Sequence, residues 1–302
     1  MSKVLCIGDS CADIIIPYGQ AKKGNDAFVS FSCGGSNANT AYGLGKLGVD
    51  ASFVGKAGKD LYGLAMKKEL EDAGVNTNHF LIDESMISTQ ILVVIDERND
   101  RFPFLMPREN PSYLEIYPDD LKGIDISDTE YILTNGMMLF KNPAAASICD
   151  YLSVCHKQGI KIILDINYRL ETINEDRSYL DEVVKISDYL LGSIDDDLLP
   201  LSGKDNLNDA IDVLQNDSNV IIARNAEGSS YFSRKEKGFC PSYKVDVIDT
   251  LGAGDAFNAG FIYGLTSNFP LDACNRYGCK VASYCIAHKG ARNYPSRDSL
   301  ND

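Results

Sequence analysis

The chain has no long apolar run, no excess of positive charge, almost no histidine and no paired cysteine motif. No window approaches the ~18 apolar residues that a membrane-spanning helix needs. Lys and Arg number 29 against 43 Asp and Glu, a formal charge of −14. No basic surface dominates such a balance, which argues against a general binder of nucleic acid or of anionic membranes. An anionic small molecule is not excluded, because backbone N–H groups and one or two Arg suffice to hold a phosphate. The three His (His79, His156, His288) form no ligand pattern. The nine Cys contain no C-x-x-C, and Cys6/Cys11, Cys149/Cys155 and Cys274/Cys279 are too loosely spaced for a zinc knuckle. They read as reduced, mostly buried thiols of a reducing compartment. The opening MSKVLCIGDS reads as a β-strand and not as a signal peptide, so a cytoplasmic protein is expected.

What is present is enough for a large core. Of 302 residues, 44% are hydrophobic and 24% charged, and a core of this size folds without disulfide or metal staples. Short β-branched runs (KVLCIG, ASFVG, YILTNG, KIILDIN, YLLGS, NVIIAR) alternate with helical stretches such as DLYGLAMKKELEDAG and NPAAASICDYLSVCHKQG. That alternation predicts an α/β fold with a parallel sheet covered on both faces. Residues 13–32 and 87–106 break the rhythm. Each reads as a β-hairpin, around KKGND and ERND, and together they are expected to form one small antiparallel sheet, a lid. With no linker or repeat, residues 1–302 are expected to form one domain carrying that lid.

Two glycine-rich stretches do not carry a nucleotide site. Gly43, Gly45 and Gly48 in GLGKLG match G-x-G-x-x-G, but they lie within or at the end of a helical pattern, not between a strand and a helix. GKAGKD has Asp60 where a Walker A loop requires Ser or Thr.

DTLGAGDAFNAG, Asp249 to Gly260, is different. Gly252, Ala253 and Gly254 offer little side-chain bulk, and the helix that follows would aim its unpaired N–H groups and positive dipole end at one spot. That is an anion hole. Asp255 beside it reads either as a first-turn acid favoured by the dipole or as a general base for a hydroxyl that attacks the held phosphoryl group. In CGGSNANTAYGLGKLG, Gly34 and Gly35 precede Asn39, a carboxamide suited to a hydroxyl-rich ligand. In GDSCADIII, Asp9 and Asp13 fall beyond the first strand, where open α/β sheets bind ligands; a turn residue explains Asp9 better than Asp13.

Together these stretches resemble the PfkB family of carbohydrate kinases, and the similarity runs through the whole chain. The C-terminal signature is nearly complete; the N-terminal one has Asn37 where a small residue or Pro is usual. The resemblance implies a ribokinase-like three-layer α/β/α core with a mostly parallel central sheet and a small β-sheet lid. It implies an ATP-dependent sugar kinase acting with Mg²⁺, with Asp255 as base and Gly252, Ala253 and Gly254 lining the anion hole. Asp13, Gly34, Gly35 and Asn39 would hold the sugar. DINYR, with Asp165, Asn167 and Arg169, is similar to the DxNxR element of fructokinases and 2-keto-3-deoxygluconate kinases. Arg108 in RFPFLMPREN would reach the sugar, although a surface loop explains it equally well. Two departures concern the nucleotide. The usual N-x-x-E becomes Ser193 and Asp196, with Asp196 the candidate near Mg²⁺. The usual T-x-G-x-x-G becomes ARNAEG, keeping Gly228 and placing Asn225 where Gly is expected, either crowding the nucleotide or adopting a left-handed turn. Gly252 and Gly254 would also meet the nucleotide, and Asp249 lies where a monovalent cation such as K⁺ would sit. Expected partners are a small-molecule sugar and a nucleotide, with homodimerisation through the lid edges. Two alternatives remain: a nucleoside kinase stacking a base on Phe28, Phe31 or Phe104, and a non-catalytic sugar- or nucleotide-binding relic.

Overall fold

The alternating pattern becomes a nine-stranded sheet between helices in a computed structural model of the chain, which describes residues 3–26, 28–98, 100–168 and 176–300. The strands are β1 (Val4–Ile7), β2 (Cys11–Ile16), β3 (Ser30–Gly34), β4 (Ala51–Gly58), β5 (Phe80–Asp83), β6 (Gln90–Ile95), β7 (Arg101–Met106), β8 (Tyr131–Asn135), β9 (Lys161–Asp165), β10 (Tyr189–Ser193), β11 (Val220–Asn225), β12 (Gly228–Phe232) and β13 (Lys237–Pro241). The helices are α1 (Tyr18–Lys22), α2 (Ser36–Lys46), α3 (Leu61–Asp72), α4 (Pro118–Leu121), α5 (Ala144–Lys157), α6 (Ser178–Ile186), α7 (Leu199–Ser202), α8 (Leu207–Leu214), α9 (Ala253–Thr266) and α10 (Leu271–Ile286).

The large sheet has the order β13-β12-β11-β10-β9-β8-β1-β4-β5. Every neighbouring pair from β11 to β5 is parallel; β12 and β13 close one edge antiparallel. A parallel sheet must be covered on both faces, and its strands are accordingly mostly apolar and buried: β4 is buried at every position. One face packs on α2, α3, α9 and α10 through Leu44, Met66, Phe257, Phe261 and Val281. The other packs on α5, α6 and α8 through Ile148, Leu152, Val183 and Ile211. All nine Cys are free and buried, and no helix among the described residues is long and apolar enough to cross a membrane.

The two segments that broke the rhythm do form a second sheet, of order β3-β2-β6-β7. It differs from the expected antiparallel sheet in one pairing. β2–β3 and β6–β7 are antiparallel, but β2 and β6 run parallel, with Ala12 opposite Gln90 and Ile16 opposite Val94. Parallel neighbours need a long crossover, and here β3, α2, β4, α3 and β5 all lie between them. The first segment is also not a tight hairpin, because KKGND closes the short helix α1 instead of a two-strand turn.

The rejected glycine motifs have structural uses. A Cβ on Gly43 would lie 2.2 Å from the Tyr294 ring and one on Gly45 2.4 Å from the Ala73 carbonyl, so both let neighbours approach α2. Asp60 caps α3 by accepting from the N–H groups of Tyr62 and Gly63, and also from Ser88 N and Oγ just ahead of β6.

Candidate active site

The carboxyl ends of β1, β9, β10 and β11 and the first turns of α2 and α9 converge on one place, as in other open α/β sheets. Gly252 caps α9 with φ 78°, and a Cβ there would lie 2.7 Å from Ala291, so both backbone conformation and space demand glycine. Asp255 then falls in the first helical turn. Its Oδ1 accepts from Ser36 Oγ at 2.7 Å and its Oδ2 from Asn39 Nδ2 at 2.8 Å. Among the described residues, the backbone N–H groups of Gly254 and Asp255 find no acceptor.

Around this carboxylate the polar groups form a closed network. Ser36 Oγ also lies 3.4 Å from Asp165 Oδ2 at the end of β9. Asp165 pairs with Arg224 Nη2 at 2.9 Å. Arg224 Nη1 reaches the Gly254 carbonyl at 3.0 Å and Asn258 Oδ1 at 2.6 Å, and the guanidinium lies over the Phe257 ring. Asp9 accepts from Ser36 N, Asn37 N and Asn135 Nδ2, tying the start of α2 to β1 and β8.

Burial pushes the Asp255 carboxyl up to about 7; Asn39 and Ser36 pull it down, and the charges of Asp165 and Asp9 add to the rise. A carboxylate poised near neutrality exchanges a proton with a substrate hydroxyl far more readily than one at the usual value. Burial likewise raises Asp165, against the pull of the Arg224 charge. A cavity of about 170 Å³ opens beside the site, lined by Asp13, Ser32, Glu69, Lys289, Arg292 and Asn293 among others. A larger one, of about 320 Å³, lies against α10 by Tyr243, Arg276, Tyr277 and Lys280, and none of the groups above lines it.

Comparison with known proteins gives the family of the chain. The model of the pfkB family carbohydrate kinases matches residues 1–298. The chain belongs to that family. Among curated family relatives, the 5-dehydro-2-deoxygluconokinase of Listeria monocytogenes serotype 4a (strain HCC23) is 26% identical, over 98% of this chain and 94% of its own length. An E. coli protein described as a candidate ribokinase II, solved with ATP and Mg²⁺, superposes with a TM-score of 0.89 at 19% identity, over 100% of this chain and 98% of its own. The adenosine kinase of Sinorhizobium meliloti gives a TM-score of 0.85 at 21% identity, over 99% and 98%. The chain is therefore a carbohydrate kinase with a ribokinase-like fold.

Within this family frame the expected site residues separate. Asp13 stands free for a ligand: apart from a 3.5 Å contact with the Cys11 thiol its carboxylate has no hydrogen-bond partner among the described residues. Gly34 packs against it, where a Cβ would lie 2.4 Å from Asp13 Oδ2, and Gly35 caps α2 with φ 97°. Asn39, expected to meet the sugar, donates Nδ2 to Asp255 and accepts at Oδ1 from Arg292 Nε at 2.9 Å. Asp165 pairs with Arg224 through one of its oxygens. Asn167 is half-buried with φ 39° and no side-chain hydrogen bond among the described residues. Arg169 lies outside the described residues. Arg108 is exposed on the stretch after β7 and lines neither cavity, so it meets a sugar there only if the lid moves.

The nucleotide departures resolve locally. Asn225 does not take the left-handed option: its φ is not positive, and its Oδ1 accepts from Glu227 N and Gly228 N to cap the β11–β12 turn. Gly228 has φ 148°, with the Cys240 carbonyl 2.1 Å from where a Cβ would stand. Ser193 donates to Asp197 Oδ2 at 2.9 Å and accepts from Asp196 N. Asp196 is exposed, with no side-chain partner among the described residues. Asp249 accepts from Leu251 N and Gly290 N, fastening the turn before α9 to the turn after α10.

No three His, Cys, Asp or Glu among the described residues gather into a metal-holding group. One free carboxylate is nonetheless a usual protein share for Mg²⁺, which keeps its waters and the phosphates, and Asp196 fits it. Sequence reasoning missed Ser36, Asp197, Arg224 and Arg292. Ser36 stands inside the quoted GGSNAN. Arg224 is a charge inside the apolar strand NVIIAR, which signals a buried partner. Arg292 had no local signal.

Proposed function

We propose that this carbohydrate kinase transfers the γ-phosphoryl group of ATP to a primary hydroxyl of a sugar or sugar acid of the fructose or 2-keto-3-deoxygluconate type. Asp255 is the general base and the Gly252–Gly254 turn the anion hole. The observation that carries the reading is Asp255 itself, a desolvated carboxylate fixed by Ser36 and Asn39 beside unpaired N–H groups of its own helix turn.

The acceptor sugar occupies the cavity beside Asp13, whose carboxylate accepts from its hydroxyls. Asp255 takes the proton of the attacking hydroxyl onto a carboxylate oxygen as the O–P bond forms and the bond to the departing ADP oxygen breaks. The first-turn N–H groups hold the equatorial oxygens of the phosphoryl group in flight. Asp196 would hold Mg²⁺, which when bound would neutralise charge at the phosphates. Arg224 holds the Gly254 carbonyl and so keeps the donor turn rigid.

Among the described residues no aromatic side chain lines the cavity beside Asp13: of the lid aromatics, Phe31 packs on Tyr62 and Phe28 and Phe104 are exposed. That favours a sugar over a nucleoside, whose base would need a stacking surface. Lys289, exposed at the cavity and without a carboxylate partner among the described residues, favours an acid. The relatives' name, 5-dehydro-2-deoxygluconokinase, points the same way. The test is ADP release with Mg-ATP over a panel containing fructose, 2-keto-3-deoxygluconate, 5-dehydro-2-deoxygluconate and adenosine. Turnover of a sugar or sugar acid is expected; turnover of adenosine alone would overturn the substrate class, and none at all, with sugars still raising Tm, would leave the binding relic.

A further inference from the structure

Arg292 follows α10 in the turn Gly290–Ala291–Arg292, with a side chain only 10% exposed. Its guanidinium is held by four residues on three elements at once. Nε donates to Asn39 Oδ1 on α2 at 2.9 Å, Nη1 pairs with Glu69 on α3, and Nη2 reaches the Gly34 carbonyl at the end of β3 at 3.4 Å. The plane lies over the Tyr42 ring, 5.2 Å from its centroid. Two residues on, Tyr294 Oη donates to the Asn39 backbone carbonyl at 2.8 Å. Asn39 is thus clamped at side chain and backbone by one short segment of chain.

The chemistry of the clamp is directional. A carboxamide has an oxygen end and a nitrogen end of nearly equal shape, whereas a guanidinium carries donors only and an ionised carboxylate acceptors only. With Arg292 on one side, Asn39 must turn Oδ1 toward it and Nδ2 toward Asp255. With that donor gone, the amide is oriented by Asp255 alone, and a protonated Asp255 carboxyl, which donates as well as accepts, can meet either end of it.

We propose that Arg292 is a positioning residue for phosphoryl transfer: it locks the Asn39 amide so that Nδ2 holds Asp255 in line with the acceptor hydroxyl. The proposal rests on the reading of Asp255 as the general base. Among the described residues, the ionisable groups around Asp255 are Asp9 from the β1–β2 connection, Asp165 from β9, Arg224 through the Gly254 carbonyl, Cys285 from α10, Tyr294 after that helix, and Arg292 through the Asn39 amide.

The test compares Arg292→Met, Arg292→Lys and Asp255→Asn, with Mg-ATP and whichever of 2-keto-3-deoxygluconate, 5-dehydro-2-deoxygluconate or fructose the enzyme turns over best. Arg292→Met should lower kcat by about tenfold or more while the sugar KM moves less than about threefold, as for a misplaced reacting group. The acid limb of kcat should move up by roughly half to one pH unit, because Asp255 loses a donor to its charged form. Arg292→Lys, which keeps the charge without the planar fork, should recover only part of kcat. In an Asn39→Ala background, Arg292→Met should cause no further loss. A raised KM with kcat and the limb unchanged would make Arg292 a sugar ligand and overturn the lock, as would additive losses in the double variant. Should Arg292→Met not fold, Arg292→Lys carries the test, and a Lys variant with wild-type kcat and limb would overturn it. If Asp255→Asn kept its rate, the base reading would fall instead; loss there with an unchanged Arg292→Met would sink the lock alone.

Discussion

Replacing Asp255 by Asn should make the protein more stable as well as inactive, and the gain should grow with pH. The folded carboxyl titrates near 7, pushed up mainly by burial, whereas an unfolded Asp titrates near 3.9. Between those values the native state holds a proton that the unfolded chain releases, so stability falls as pH rises. At about 1.4 kcal/mol per pH unit the loss reaches roughly 4 kcal/mol above pH 7, and between pH 5 and pH 8 it grows by about 2–3 kcal/mol. Asn does not titrate and is accommodated by the same partners: its oxygen accepts from Asn39 Nδ2 and its NH₂ donates to Ser36 Oγ, a hydroxyl that accepts as readily as it donates. Urea unfolding of wild type and variant at pH 5, 6, 7 and 8 measures the difference, in which groups common to both cancel. A gap that widens with pH by the amount above is expected. A variant equally or less stable at every pH would refute the desolvated-base account of Asp255, since its carboxylate would then be stabilised and not strained by its surroundings.

Three further outcomes follow from the same geometry. Ser36→Ala removes the 2.7 Å donor to Asp255 Oδ1; a hydrogen bond to a charged group is worth about 1.5–3 kcal/mol, so the acid limb of kcat/KM should rise by about one to two units, read from the pH–rate profile. Arg224→Met leaves the buried Asp165 unpaired and should cost about 3–5 kcal/mol by urea denaturation, and adding Asp165→Asn should recover much of it. Gly252→Ala forces a side chain into φ 78° and against Ala291; it should cost about 1–3 kcal/mol and lower kcat more than it raises the sugar KM.

Much of this was legible in the sequence because its signals are local. Strand–helix alternation gives a parallel sheet covered on both faces, and the Gly-Ala-Gly turn before Asp255 announces the helix start found at Ala253. GLGKLG could be set aside because its context is helical, and the structure puts Gly43 and Gly45 at close approaches of Tyr294 and Ala73. What was not legible depends on distant partners. Two alternating runs are compatible with either pairing direction, so the parallel β2–β6 contact could not be read from them. The amide partners of Asn39 could not be read from the sequence because they lie 216 and 253 positions away. Asp165 and Arg224, 59 residues apart, each carried a charge whose partner is fixed only when β9 and β11 flank β10. Ser193 and Asn225, read as changes at the nucleotide, satisfy their own turns.

The central claim is that Asp255 is the base of a sugar-phosphorylating site. It is tested most directly by ADP release from Mg-ATP in the presence of 2-keto-3-deoxygluconate, 5-dehydro-2-deoxygluconate and fructose, with Asp255→Asn run beside the wild type. Turnover on one of these compounds, lost by about two to four orders of magnitude in a variant that still binds it, is the predicted result. A folded Asp255→Asn variant turning over at the wild-type rate would contradict it.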